Sequence, residues 1–390
     1  MEKKANKIIK EILEKEKIDI KTKKKYLEIY SEIKSKLEFS IKQLKIHCEI
    51  FLGGSFAKGT ILKDNIEFDI FARFSKDYKD QELSLLLKQI LDETKLTYQK
   101  VHGSRDYYQL NYNDIKIEII PIYKINKVDE AVNITDISPF HVEWVTKNIK
   151  GLENDVKLAK LFCKAHGIYG AESYIQGFSG YVLEILIAHY GGFLKLLENA
   201  SKWNNKTIID VQKHYKNTEE LIKELNKAKK ISPLIVIDPI QKERNASCAI
   251  SEESYAKFVL YSQEFLDNPS ENHFKIETMT HDKILKKIKD LDAHSVHLQI
   301  ESSYDNKDIL GSKIRKLNDF LDMKLYDAGF DILISYKDLA NIWIIYLPKV
   351  LPKYSLRRGP EIFNNKDNVK NFIASIKRHL FEKTVCILFL

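Results

Sequence analysis

The stretch GGSFAKGTILKDNIEFDI, residues 53–70, sets a Gly-Gly-Ser turn one short connection ahead of two carboxylates, Glu67 and Asp69, spaced two apart. On a β-strand this spacing points both acids to one face. Two acids on one face repel unless a cation lies between them, so the pattern calls for a divalent metal. The turn contributes what a phosphate needs: backbone N–H groups at Gly54, the Ser55 hydroxyl and, nearby, the Lys58 ammonium. A third acid, Glu118, lies in DIKIEIIPIY at 114–123, where isoleucines alternate with Lys116 and Glu118. If its strand pairs beside the one carrying Glu67 and Asp69, the three acids share the polar face of one sheet, as two-metal phosphoryl transfer requires. Any one of them alone reads as a solvent-facing residue of an amphipathic strand. The turn at this distance ahead makes them a candidate site for a nucleoside triphosphate on metal.

Apolar periodicity supplies the elements that must position these groups. Residues 3–40 predict two amphipathic helices whose lysines form a solvated face. Strands are expected at 48–53, 66–74, 107–112 and 115–122, with a helix at 80–95, giving a small mixed sheet backed by helices. From Pro139 the pattern turns helical, at 141–149, 153–166, 179–198, 209–215 and 218–228, with a loop at Asp238-Pro239 and a further helix at 251–266. Beyond it, helix and strand patterns alternate as in a compact α+β domain of ferredoxin-like or RRM-like type.

The chain has 390 residues, enough for two to four domains, with a formal charge of +8 and a pI near 8.9. The basic excess favours a polyanionic partner, RNA among the candidates. Cysteines at 48, 163, 248 and 386 are scattered without a C-x-x-C pair, which argues for reduced thiols in a cytoplasmic protein and against a zinc knuckle or disulfide framework. The start, MEKKANKIIKEILEKEK, lacks the apolar core of a secretory signal, and no run is long enough to span a bilayer. The most apolar stretch, 181–196, is interrupted by Glu184 and His189 and reads as a buried core helix.

The order GGS, then E-h-D-h, then a third acid on a later strand resembles the polymerase-beta-like nucleotidyltransferases. SPFHVEWV at 138–145, NDVKLAKLFCKAHGIYGAESY at 154–174, GFSGYVLEILIAHYGGF at 177–193 and IDPIQKERNASCAIS at 237–251 narrow the resemblance to the archaeal, class I, CCA-adding tRNA nucleotidyltransferases. It implies a multidomain α+β chain: a catalytic head at 1–140, a helical neck at 141–255 that binds nucleotide and primer, and an α+β body with a shortened tail at 256–390 that binds tRNA.

The resemblance also implies roles. Glu67, Asp69 and Glu118 are the metal-ligating and catalytic acids, Glu118 standing where the family usually has aspartate. Gly54, Ser55, Lys58, His141, Lys160, Tyr169 and Arg244 are nucleotide contacts, Lys58 standing where arginine is usual, which keeps the charge but loses the bidentate fork. Two Mg²⁺ ions, ATP and CTP are the implied cofactor and substrates. The tRNA 3′ end and acceptor arm are the implied partners, with neither DNA nor a membrane, and a homodimer is left open. Lys353, Arg357 and Arg358 are candidate phosphate contacts. The apolar ending HLFEKTVCILFL is expected to close the shortened tail as a last strand or helix. Two other readings share the acids: another nontemplated polymerase, of poly(A), oligoadenylate, A-only or CC-only type, and a catalytically silent RNA-binding scaffold.

Overall fold

The structure, a computed structural model, describes all residues except 1, 65, 227, 278, 303–305, 350–356, 361–365, 380–386 and 389–390. It divides into two compact units, Met1–Glu277 and Thr278–Leu390. The first begins with helices α1 (Glu2–Lys15) and α2 (Ile20–Leu44), then strand β1 (Cys48–Leu52), the single turn α3 (Gly54–Ala57) and β2 (Glu67–Phe74). Helix α4 (Asp80–Thr94), β3 (Gln99–Val101), β4 (Tyr107–Tyr112) and β5 (Ile115–Tyr123) complete a mixed sheet of order β1-β2-β5-β4-β3. Strands β2 and β5 are parallel neighbours at its centre.

Alternation sorts the two faces of this sheet. Phe68, Ile70, Ile117 and Ile119 are fully buried against Ile33 and Leu37 of α2 and Leu83, Leu87 and Ile90 of α4. Each such side chain contributes about 1.5–3 kcal/mol on burial, which fixes the register and leaves Glu67, Asp69 and Glu118 on the other face. Behind β5 the buried Arg105 donates to Asp136 Oδ1 at 2.7 Å and to the Pro121 carbonyl at 3.0 Å, while Asp136 accepts the Tyr123 N–H at 2.9 Å. This clamp holds the far end of the strand that carries Glu118.

Helices α5 (Ser138–Asn148), α6 (Glu153–Ala165), α7 (Gly180–Tyr190) and α8 (Phe193–Ala200) build a second core within the same unit. The single helix expected at 179–198 is two helices bent by 91°, broken at Gly191 and Gly192, whose φ values of 78° and 136° no helix accepts. The helix expected at 209–215 is absent. There β6 (Thr207–Ile209) is followed by a turn in which Asp210 accepts the Tyr215 N–H. The isoleucines of TII favour a strand, and it pairs in parallel with β7 (Leu234–Val236), beyond the short helix α9 (Thr218–Glu224).

Helix α10 (Glu252–Asp267) packs on α8 and belongs to the first unit, so the second compact unit begins at 278 rather than at the expected 256. Helix α1 likewise joins the second core through Ala5, Ile8 and Ile12, although the expected head included it. Among the described residues no single helix is long and apolar enough to cross a membrane. The bent pair α7 and α8 passes by composition, and its apolar residues lie in the core.

The second unit runs α11 (His281–Asp290), β8 (His294–Gln299), α12 (Lys307–Asp327), β9 (Ile332–Lys337) and β10 (Asn341–Tyr346). The strands form an antiparallel sheet of order β8-β10-β9. Trp343 and Ile345 face Ile284 of α11, whereas Ile342 and Ile344 face Ile314 of α12. The α+β character matches the sequence reading, with one helix on each face of the sheet instead of the shared face of a ferredoxin-like domain. Two-residue strands β11 (Arg357–Arg358) and β12 (Ile387–Leu388) pair in parallel, with α13 (Lys366–His379) between them. Lys353 and most of the apolar ending lie outside the described residues, as do the side-chain surroundings of Arg357 and Arg358.

Candidate active site

Parallel pairing of β2 and β5 sets Asp69 directly opposite Glu118, and Glu67 opposite Lys116. The three acids therefore stand on adjacent rungs of one polar face: the spacing of Glu67 and Asp69 predicts their share of it, and the β2–β5 pairing brings Glu118 to it. Gly54 lies against them. Its φ is +61°, and a Cβ placed on it would stand 1.5 Å from Asp69 Oδ2, so only glycine fits under that carboxylate. The Gly53 N–H donates to the Asp69 carbonyl at 2.7 Å, tying the turn to the strand it serves. Gly54→Ala is expected to push the Asp69 carboxylate out of place. We expect a loss of about 100-fold or more in whatever metal-dependent phosphoryl transfer these acids support, with a circular-dichroism spectrum like that of the unaltered protein.

Electrostatics mark the face as short of positive charge. Burial, then the neighbouring Glu67 and Glu118 charges, push the Asp69 carboxyl up to about 7 against the pull of Lys58 and Lys116. Burial likewise raises Glu67, with Lys116 opposing and Glu118 adding to the rise. The Lys116 ammonium donates to Glu67 Oε1 and lies 2.6 Å from Glu118 Oε1, while Gln109 Nε2 donates to Glu118 Oε1 at 3.0 Å. Burial alone would lower Lys116, but its bonds to Glu118 and Glu67 outweigh that and raise it. Among the described residues no three potential metal ligands converge on one point as they stand. The donor set nonetheless fits a divalent cation: three hard oxygen ligands on one face, mutually repelling, with an ammonium already between two of them.

Lys58 acts on this face only through its charge and is bonded elsewhere. It donates to Glu184 Oε2 of α7 at 2.6 Å, and Thr60 Oγ1 donates to Glu184 Oε1 at 2.9 Å. Lys160 of α6, 3% exposed, donates to the Thr60 carbonyl at 3.0 Å and to Thr60 Oγ1 at 3.1 Å, and burial lowers its ammonium to about 8. A Cβ on Gly180 would meet the Tyr169 hydroxyl at 3.2 Å and Lys160 Cε at 3.4 Å, so Tyr169, Lys160 and the start of α7 are packed together. Ser55 sits in the first turn of α3, and its carbonyl accepts the Thr60 N–H at 2.9 Å. The turn that carries Gly54 and Ser55 thus ends in a buried polar network that joins the sheet to the second core.

His141 and Arg244 meet on Asp238. Arg244 Nη1 donates to Asp238 Oδ2 at 2.5 Å, His141 Nε2 lies 3.3 Å from the same oxygen, and Tyr181 OH donates to Oδ1 at 3.1 Å. Burial alone would raise Asp238, but His141, Arg244 and the Ile240 N–H outweigh it and hold the carboxyl at about 2. The His141 and Arg244 groups both lie over the Tyr181 ring, at 4.5 and 5.9 Å from its centroid, leaving a compact donor cluster suited to an anion or a base edge.

Sequence reasoning missed Glu184, Asp238, Thr60 and Lys116. Glu184 had a visible signal, an acid inside the most apolar helix, which reads there only as an interruption. Asp238 was masked by the Asp-Pro loop pattern.

Comparison with known proteins gives this geometry a family. Residues 154–275 match the family model described as the second domain of tRNA nucleotidyltransferase, and residues 4–157 match the Second Messenger Oligonucleotide or Dinucleotide Synthetase domain. Among solved structures, an RNA terminal U-transferase superposes with a TM-score of 0.54 and a poly(U) polymerase with 0.55. Each is 13% identical and covers 71% and 70% of this chain, and 100% and 98% of its own, which shows a shared fold. The CCA-adding enzyme of Nanoarchaeum equitans is 49% identical over 245 residues, 62% of each chain. That of Methanocaldococcus jannaschii is 32% identical over 83% of this chain and 74% of its own. At 31% identity to the CCA-adding enzyme of Saccharolobus islandicus, over 91% of its own length and 80% of that relative's, the chain belongs to the CCA-adding tRNA nucleotidyltransferase family.

Proposed function

We infer that this chain adds C, C and A to the 3′ end of tRNA from CTP and ATP, releasing pyrophosphate and using no nucleic-acid template. The observation that carries the reading is the Asp69–Glu118 rung with the Gly54 backbone pressed against Asp69. It sets a phosphate-binding turn and three acids on one face, within a chain of this family. Glu67, Asp69 and Glu118 are the residues that would hold Mg²⁺. Bound there, the metal supplies the positive charge that activates a hydroxyl and steadies a leaving pyrophosphate.

The chain's own groups do the positioning. Gly54 and Ser55 offer backbone N–H groups and a hydroxyl to the triphosphate. Glu118 lies across from Asp69, where it can orient the terminal ribose hydroxyl for in-line attack on the α-phosphate. Arg244 and His141, fixed by Asp238, present donors to the incoming nucleotide, and the buried Lys58–Glu184–Thr60–Lys160 network holds the turn against α6 and α7. The acceptor arm of tRNA is the partner this chemistry serves.

The test is to incubate the purified chain and Mg²⁺ with tRNA transcripts ending before CCA, after C or after CC, supplied with CTP, ATP, both, or GTP and UTP, and to sequence the 3′ ends. Growth to CCA followed by arrest, lost in Asp69→Ala, is the expected result. A-only tails of no fixed length would assign a poly(A)-type activity, A addition only after CC a split-function enzyme, and tRNA binding without extension a silent scaffold.

A further inference from the structure

Among the described residues Lys116 is the one cation in bonding contact with two of the three acids, and its place follows from the sheet. It is opposite Glu67 across β2 and β5, two residues before Glu118 and opposite Asn111 of β4, so both acids are its neighbours on that face. Its ammonium bonds Glu67 Oε1 and stands 2.6 Å from Glu118 Oε1. Unlike Lys160, which is sealed in the core, the Lys116 side chain is 47% exposed. It also lines a groove of about 830 Å³ whose wall includes Gln109, itself bonded to Glu118, and the charged groups Lys25, Lys63, Asp64 and Asp114. The side chain therefore has somewhere else to go.

We propose that Lys116 is a placeholder cation: without metal its ammonium bridges Glu67 and Glu118 and keeps both carboxylates on the site, and metal binding displaces it into the adjoining groove. A single charge on a flexible four-carbon stem suits this use, since it offsets repulsion yet yields to a divalent ion, where an arginine fork would hold on. The inference rests on the reading of Glu67, Asp69 and Glu118 as a metal site.

The experiment titrates Mn²⁺ into the full nucleotide-free chain, following free Mn²⁺ by electron paramagnetic resonance, for the unaltered protein, Lys116→Met, Lys116→Arg and Asp69→Ala. Asp69-dependent binding is expected to be about tenfold tighter in Lys116→Met, because the ion no longer competes with an ammonium, and no tighter in Lys116→Arg. A fold defect would weaken binding, not tighten it. As a second measurement on the unaltered protein, labelling of Lys116 by an amine-reactive reagent, read by mass spectrometry, is expected to rise severalfold when Mg²⁺ is added to the EDTA-treated chain. Asp69-dependent binding with equal or weaker affinity in Lys116→Met, or Lys116 labelling that stays flat or falls with Mg²⁺, overturns the placeholder alone. No Asp69-dependent Mn²⁺ binding in the unaltered protein overturns the metal site and the placeholder with it.

Discussion

Asp69→Asn is expected to lower nucleotide addition by about 10³-fold or more while making the metal-free protein more stable, by about 1–3 kcal/mol at pH 8. The two effects have one cause. Asp69 is held under burial, beside Glu67 and Glu118, in surroundings that oppose its charge. An amide of the same shape keeps the contact over Gly54 and removes that repulsion, but it is a poor ligand for a hard divalent ion. Thermal melts in EDTA and in Mg²⁺, set beside the incorporation rate, check both halves. If the substitution destabilised the metal-free chain, the account of this face as charge-strained would fail even with activity lost.

The same carboxyl gives the pH dependence a sign. Its ordinary value is 3.8 and its value here about 7, so between these the folded state holds more protons than the unfolded one. Stability of the metal-free chain therefore falls as pH rises from 3.8 to about 7, and Glu67, also raised, acts in the same sense. Metal binding runs the other way. The ion needs the ionised carboxylate, so its apparent affinity should drop by up to about tenfold for each pH unit below 7. Asp69→Asn should flatten the first trend, leaving what Glu67 contributes.

The acids were legible because a strand's side-chain period is two and isoleucines on the opposite face fix the register. Glu67 and Asp69 could be assigned to one face before any strand was seen, whereas Glu118 shared that face only on the condition that its strand paired beside theirs, which the β2–β5 register meets. Lys58 was legible as a charge near the turn but not in its partner: Glu184 lies 126 positions away on α7, and nothing local announces an ion pair that long in sequence. His141 and Arg244 were each readable only by resemblance, and what unites them, Asp238, sits in a loop whose proline draws attention to the backbone. The two glycines that break 179–198 into α7 and α8 were in view, yet apolar periodicity runs through them and outweighs a local signal that only φ makes decisive. Strand β6 was lost because three residues are too few to show an alternation.

Glu184→Ala is expected to cost about 3–5 kcal/mol of stability, because it takes from Lys58 its ion-pair partner and from the buried Lys160, which keeps its bonds to Thr60, the opposing charge beside it. Glu184 is fully buried, and its two oxygens are taken by Lys58 and Thr60, the latter also accepting from Lys160. Glu184→Leu alone should be similarly harmful. Combining it with Lys58→Met should recover part of the loss, since an apolar pair no longer leaves an unmatched charge, and denaturant melts of the cycle should give a coupling of about 1–3 kcal/mol. Activity is expected not to recover with stability. Thr60 and Lys58 end the turn that begins at Gly54, so the ion pair fixes where that turn stands relative to α6 and α7. A refolded double variant with a raised KM for CTP and ATP would identify the pair as positioning the triphosphate turn. Full activity in that variant would reduce Glu184 to a purely structural acid.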